Sequence, residues 1–192
     1  FTERISPAAF GFAKENWEEN SANLAGGFLS TPNAKNSNYL LYTYLPLRFW
    51  RDLVLPLKFS PYYFNADLIV HENANLQFEP GVVIKSSDAK ISVDGKITAI
   101  GTEQNPITFT SFKDLPQAGD WLGIELTSKS SGSVFDRTIF SYGGANLQKL
   151  GAALKVNKNS VVITNSVFEN NLNAGLYLLN TSSDIRNNQF LG

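Results

Sequence analysis

Four kinds of side chain in this sequence carry chemistry worth testing. Asp120, Glu125 and Asp136 lie close along the chain. A pair of carboxylates on one face supplies a general acid and a base, and a larger cluster supplies the six to eight oxygens a calcium ion takes. His71, the one histidine, would serve as a base only with a partner to orient it. Trp121 and Tyr177 offer flat faces to a sugar ring. Asn180-Thr181-Ser182 is an acceptor sequon for N-glycosylation and marks a turn exposed on a secreted chain. None of these works alone, so the elements that hold them decide.

Those elements repeat. I-x-N-x-x-F runs from Ile163 to Phe168 and again from Ile185 to Phe190, 22 residues on. At that offset Leu154 falls on Leu176, Val156 on Leu178, Ile163 on Ile185, Asn165 on Asn187 and Phe168 on Phe190. Upstream, Ile124, Leu126, Phe135 and Phe140 are the equivalents, and looser phrases lay Leu68–Val70 over Ile91–Val93 and Leu76–Phe78 over Ile97–Ala99. Each phrase is short, alternates with the strand period of two, and ends on Gly, Asn, Asp, Ser or Pro. No window after residue 67 keeps a helical rhythm over ten residues.

A β-sandwich would also show many short strands, but it has no reason to return one residue type every 22 positions. Stacked windings do. The fold class expected is all-β, a right-handed parallel β-helix of about five coils. Phe140, Phe168 and Phe190 should form one file in the bore, and Asn165 and Asn187 a ladder at a bend where Asn accepts the left-handed conformation. Arg137 occupies the matching place one coil earlier, so the Asn ladder is expected to begin after it.

The stretch "LIVHENANLQFEPGVVIKSSDAKISVDGKITAIGTEQNPITFTS", followed by "GDWLGIEL" and "ITNSVFENN", resembles the right-handed parallel β-helix proteins with pectate-lyase-like coils. It is most similar to the first coils of such domains in large extracellular and cell-surface proteins, over about residues 60 to 192. The resemblance implies an extracellular or cell-surface location. It also implies a possible carbohydrate-active chemistry, since related enzymes carry clustered carboxylates on an outward sheet face, often with calcium.

The sequence can be held to that chemistry. On the best-defined strand file the outward residues are Glu125, Lys155 and Tyr177, then Thr127, Asn157 and Leu179; on the next sheet they are Asp136, Thr164 and Arg186. One acid per file neither binds calcium nor makes an acid–base pair. The expectation is therefore no catalytic, cofactor or metal residue, with Glu125, Lys155, Tyr177 and Asn157 as surface contacts for a protein or glycan. Asp120 reads as a turn former beside Gly119, His71 as a surface or turn residue, and Trp121 as packing.

Bulk properties narrow the class further. Net charge is −1 and 17% of residues are charged, with no basic stripe, which argues against nucleic acid. Cysteine is absent, which excludes disulfides and thiolate metal sites. No run of about 18 apolar residues is present to span a bilayer.

Residues 1–60 stand outside the repeat and read as an N-terminal cap or the end of a preceding domain. A short helix is expected near Ser6–Pro7, and the aromatics Phe10, Phe12, Trp17, Phe49 and Trp50 are expected to pack on the first coil. The chain opens on Phe1 without a leader and stops within the recurring phrase, as a piece of a longer protein would. The β-helix of residues 61–192 is thus expected to continue, with further coils or another chain at its C-terminal edge. The function expected is a non-catalytic adhesion, junction or assembly module. The alternatives are a polysaccharide lyase, hydrolase or epimerase whose acids lie elsewhere, and a structural filament subunit.

Overall fold

A computed structural model describes residues 39–41, 47–145 and 151–192 of the chain. After β1 (Tyr39–Leu41) the strands come in triplets, one triplet per coil. The first coil holds β2 (Leu47–Phe49), β3 (Leu53–Leu55) and β4 (Tyr62–Phe64); the second β5 (Leu68–Val70), β6 (Asn75–Phe78) and β7 (Val83–Ser86). The third holds β8 (Lys90–Val93), β9 (Lys96–Ile100) and β10 (Ile107–Ser111); the fourth β11 (Gly123–Leu126), β12 (Ser133–Asp136) and β13 (Thr138–Ser141). The fifth holds β14 (Ala152–Asn157), β15 (Val161–Thr164) and β16 (Val167–Glu169); the sixth β17 (Ala174–Leu179), β18 (Asp184–Arg186) and β19 (Gln189–Leu191).

Every strand pairs in parallel with its equivalent one coil away, giving three sheets that begin at β2, β3 and β1 and are called here the first, second and third. This is a right-handed parallel β-helix, as a chain of right-twisted strands joined by crossovers requires. It has six coils where about five are expected from sequence, because β2 and β3 pair in register with β5 and β6. The coil pattern thus extends upstream of the boundary expected at residue 60. The three-residue strands "LRF" and "LVL" hide the period, since a strand that short shows a single alternation. The short helix expected near Ser6, and the packing of Phe10, Phe12 and Trp17, fall outside the described residues.

Registry matches the offsets read from sequence: Leu154 pairs with Leu176, Ile163 with Ile185 and Phe168 with Phe190. The aromatic file is longer than expected. Phe109 joins Phe140, Phe168 and Phe190, with parallel rings at centroid spacings of 5.5, 4.7 and 5.0 Å. Successive coils lie about 4.8 Å apart in a sheet, so the stack is set by the hydrogen-bond spacing itself. Each fully buried phenylalanine contributes about 1.5–3 kcal/mol relative to exposure. Phe49 belongs to this core, whereas Trp50, expected to pack with it, points outward and is 56% exposed.

The corners explain the asparagines. Arg137, Asn165 and Asn187 hold the same place in three successive coils with φ of 49°, 51° and 56°. Tyr142 and Asn170 repeat this at the next corner, with φ of 60° and 52°. Asn is suited to this left-handed region because its short amide bonds locally. The Asn ladder begins after Arg137, as expected, with its one Asn–Asn rung between Asn165 and Asn187 among the described residues. The Asn165 amide donates to the Asp136 carboxylate at 2.7 Å, while Asn187 reaches Asn165 only at 3.4 Å. The tighter ties between coils come from neighbouring asparagines. Asn188 accepts from Ser166 N–H and donates to the Ile163 carbonyl, and Asn171 does the same with Gly143 and Phe140.

Candidate functional site

The outer wall of the first sheet carries the best-defined candidate. β11, β14 and β17 bring Glu125, Lys155 and Tyr177 into one file, since alternation turns Ile124 and Leu126 inward and leaves Glu125 outside. Lys155 Nζ lies 3.2 Å from Glu125 Oε1, with both side chains about one-third exposed or less. An ion pair so placed is worth at most about 1 kcal/mol. Its effect is to put alternating acceptor and donor groups in a row, with the Tyr177 hydroxyl next. Asn157 stands two residues beyond Lys155 on the same face, its Oδ1 enclosed without a hydrogen-bond partner.

A groove of about 230 Å³ opens beside this file, and Asp67, Lys90, Gly123, Glu125, Ala152 and Lys155 line it. Asp67 and Lys90 were not singled out by sequence. Their signal is a 23-residue spacing, and Asp67 Oδ1 accepts the Lys90 backbone N–H at 3.0 Å. Gly123 is required here: its φ is +98°, and a Cβ would sit 2.1 Å from the Ala152 carbonyl oxygen. Any side chain at that position would push β11 from β14 and spoil the pairing of Glu125 with Lys155.

Asp120 and Asp136 are tied into the fold by hydrogen bonds. Asp120, 5% exposed, accepts from Ser111 Oγ at 2.6 Å, Lys113 Nζ at 2.7 Å and the Gln117 N–H at 2.8 Å, closing the loop between β10 and β11. Burial alone would raise its carboxyl. The hydrogen bonds from Lys113, Ser111 and Gln117, with the Lys113 charge, outweigh that and hold it below the ordinary carboxylate value. Asp136 behaves alike: burial opposes ionisation, and Thr164, Asn165 and Arg137 together overcome it.

Asp136, Thr164 and Arg186 do form one outward file, as the repeat implies. Trp121 is packed at 1% exposure, with its indole N–H on the Ser141 carbonyl. Asn180 is exposed in its turn with φ +49°, as an acceptor sequon needs. Among the described residues, no three of His, Cys, Asp and Glu converge as a metal-binding group.

In this arrangement a lysine sits against the one acid of the file, and a phenol extends the row. Comparison with curated proteins and with solved structures gave no match. A family model described as pectate-lyase like beta helix domain matches residues 51–173. The stacked strands, the three parallel sheets and this match together make the chain a member of the pectate-lyase-like β-helix domain family.

Proposed function

We propose that this domain is a rigid, non-catalytic scaffold of an extracellular or cell-surface protein. It presents the outer face of the first sheet to a protein or glycan partner, in adhesion, junction or assembly. The observation that carries this reading is the Glu125–Lys155–Tyr177 file. Its acid is engaged by a lysine 3.2 Å away, and the file runs along a sheet whose strands pair in parallel register from coil to coil. Asp120 and Asp136 support it, since their lone pairs are taken by hydrogen bonds that close a loop and a corner. Extracellular placement is supported by the likeness of the "EPG" to "GDWLGI" coils to surface β-helix domains, and an exposed sequon fits it.

The family match favours a second reading, a carbohydrate-active enzyme whose reacting groups lie mostly outside these residues. Incubation with polygalacturonate and with alginate, followed by ultraviolet absorbance of unsaturated products and by reducing-end assay, separates the two. No turnover is expected, while binding to partner cells or glycans weakens in Glu125→Gln and Lys155→Gln. Turnover that disappears in Glu125→Gln, Asp120→Asn or Asp136→Asn would establish the enzyme instead.

A further inference from the structure

The corner between the second and third sheets is built from turns of unequal length. Six residues separate β9 from β10, whereas one separates β12 from β13 and two separate β15 from β16. The longer turn, residues 101–106, stands out beside the short turns of the next two coils and makes one wall of a cleft. That wall is fixed. Its feet are held by the next coil, with the Gly101 N–H on the Asp136 carbonyl at 2.9 Å and the Ile107 N–H on the Arg137 carbonyl at 3.2 Å. It is closed on itself by the Thr102 N–H on the Asn105 carbonyl and the Asn105 N–H on Thr102 Oγ1, both at 3.0 Å.

The cleft encloses about 470 Å³, within the usual range of ligand clefts, about 300–1,000 Å³. Pro106, Ile139 and Val167 give it an aliphatic surface, and its polar groups include Glu103, Arg137 and Asn165. Ile139 and Val167 are outward residues of the third sheet, paired in register, and Thr108 and Val83 continue their file through the two preceding coils. Four β-branched side chains, each partly buried, thus line up on an outer wall.

We infer that this cleft receives an extended peptide segment of a protein partner. One aliphatic side chain seats on Pro106, Ile139 and Val167, and a neighbouring lysine or arginine meets Glu103. Charge selects the cation. Arg137 is neutralised by Asp136, its Nη1 2.5 Å from Oδ2, while Glu103 has no ion pair among the described residues. The cleft therefore presents one uncompensated negative charge. Arg137 keeps further N–H donors for a peptide carbonyl.

The lining disfavours the competitors. No aromatic side chain is among its residues to stack on a flat ring, and Glu103 repels an anionic ligand. An aliphatic centre with polar groups around it is the pattern of protein–protein contacts. The fixed wall lowers the ordering that binding would otherwise cost. The cleft lies on the third sheet and shares no residue with the groove beside Glu125, so this inference does not rest on the function proposed for the first sheet.

Titration of the isotope-labelled full chain with acetyl-Ala-Leu-Lys-Ala-amide, followed by amide chemical shifts, tests it. The comparators are acetyl-Ala-Leu-Glu-Ala-amide and acetyl-Ala-Ser-Lys-Ala-amide. The Leu-Lys peptide is expected to shift the amides of Thr138, Ile139 and Val167 saturably at millimolar concentration, and to bind at least threefold more tightly than either comparator. Glu103→Lys, in an exposed turn, should keep the melting curve and reverse the preference in favour of the Leu-Glu peptide. Val167→Asp should weaken binding of the Leu-Lys peptide tenfold or more. Absence of saturable shifts at these amides, equal binding of the Leu-Lys peptide and either comparator, or an unchanged preference in Glu103→Lys would overturn the assignment.

Discussion

Asp120 shows how one side chain closes a long loop. Its two oxygens collect Ser111, Lys113 and the Gln117 N–H, so the segment after β10 is pinned through one buried carboxylate. The pH consequence follows from the direction of its shift. The folded carboxyl lies below its ordinary value of 3.8, so in acid the unfolded chain binds the extra proton. The stabilisation is complete above that value and is lost as pH falls through the folded one. At pH 7 Asp120→Asn is expected to cost about 1.5–3 kcal/mol, the usual worth of hydrogen bonds to a charged group. Urea midpoints measured from pH 7 to 3 should then fall less steeply below pH 4 in the variant than in the wild type. That Asp120 forms a turn beside Gly119 was legible in the sequence. That Lys113 and Ser111 would be its partners was not, because nothing in a chain's order says which loop residues fold back on one another.

At the scale of strands, the phenylalanine file gives the clearest gradient. Phe168 has a ring above and below it, whereas Phe190 has one neighbour and is 56% exposed. Phe168→Ala is expected to cost about 3–5 kcal/mol, as for a buried aromatic truncated without collapse of the site. Phe190→Ala should cost clearly less, and guanidinium unfolding of the two variants side by side checks the order. Strand positions and inward faces from residue 68 onward were readable because each phrase alternates and finds its like in the next coil, at a spacing of 22 residues over the last two. The first coil was not. β2 and β3 have three residues each, and the aromatic "RFW" reads equally as cap or strand until Phe49 is seen in the bore and Trp50 outside it.

For the whole molecule, a solenoid shares its stability between each coil and its neighbours, so an end coil matters beyond its size. β17, β18 and β19 leave their outer edges unpaired among the described residues, and Leu178, Phe190 and Leu191 are 41%, 56% and 51% exposed there. Open strand edges with apolar side chains invite pairing with another chain. Sedimentation of the 192-residue chain at rising concentration is therefore expected to show self-association, removed by Phe190→Asp with Leu191→Lys while the fold is kept. Persistence of long end-to-end assemblies at low concentration would favour the filament reading.

What the sequence determined by itself is the winding: the class, the period and the file in which each inward residue stands. A repeat carries that information redundantly, and hydrogen-bond spacing converts it directly into contacts. Only the tertiary structure decided which outward residues meet across coils of unequal turn length, Trp50 on His71 and Asp67 beside Lys90 among them. Turn lengths change from coil to coil without breaking the core register, so they shift outer side chains by amounts no period records.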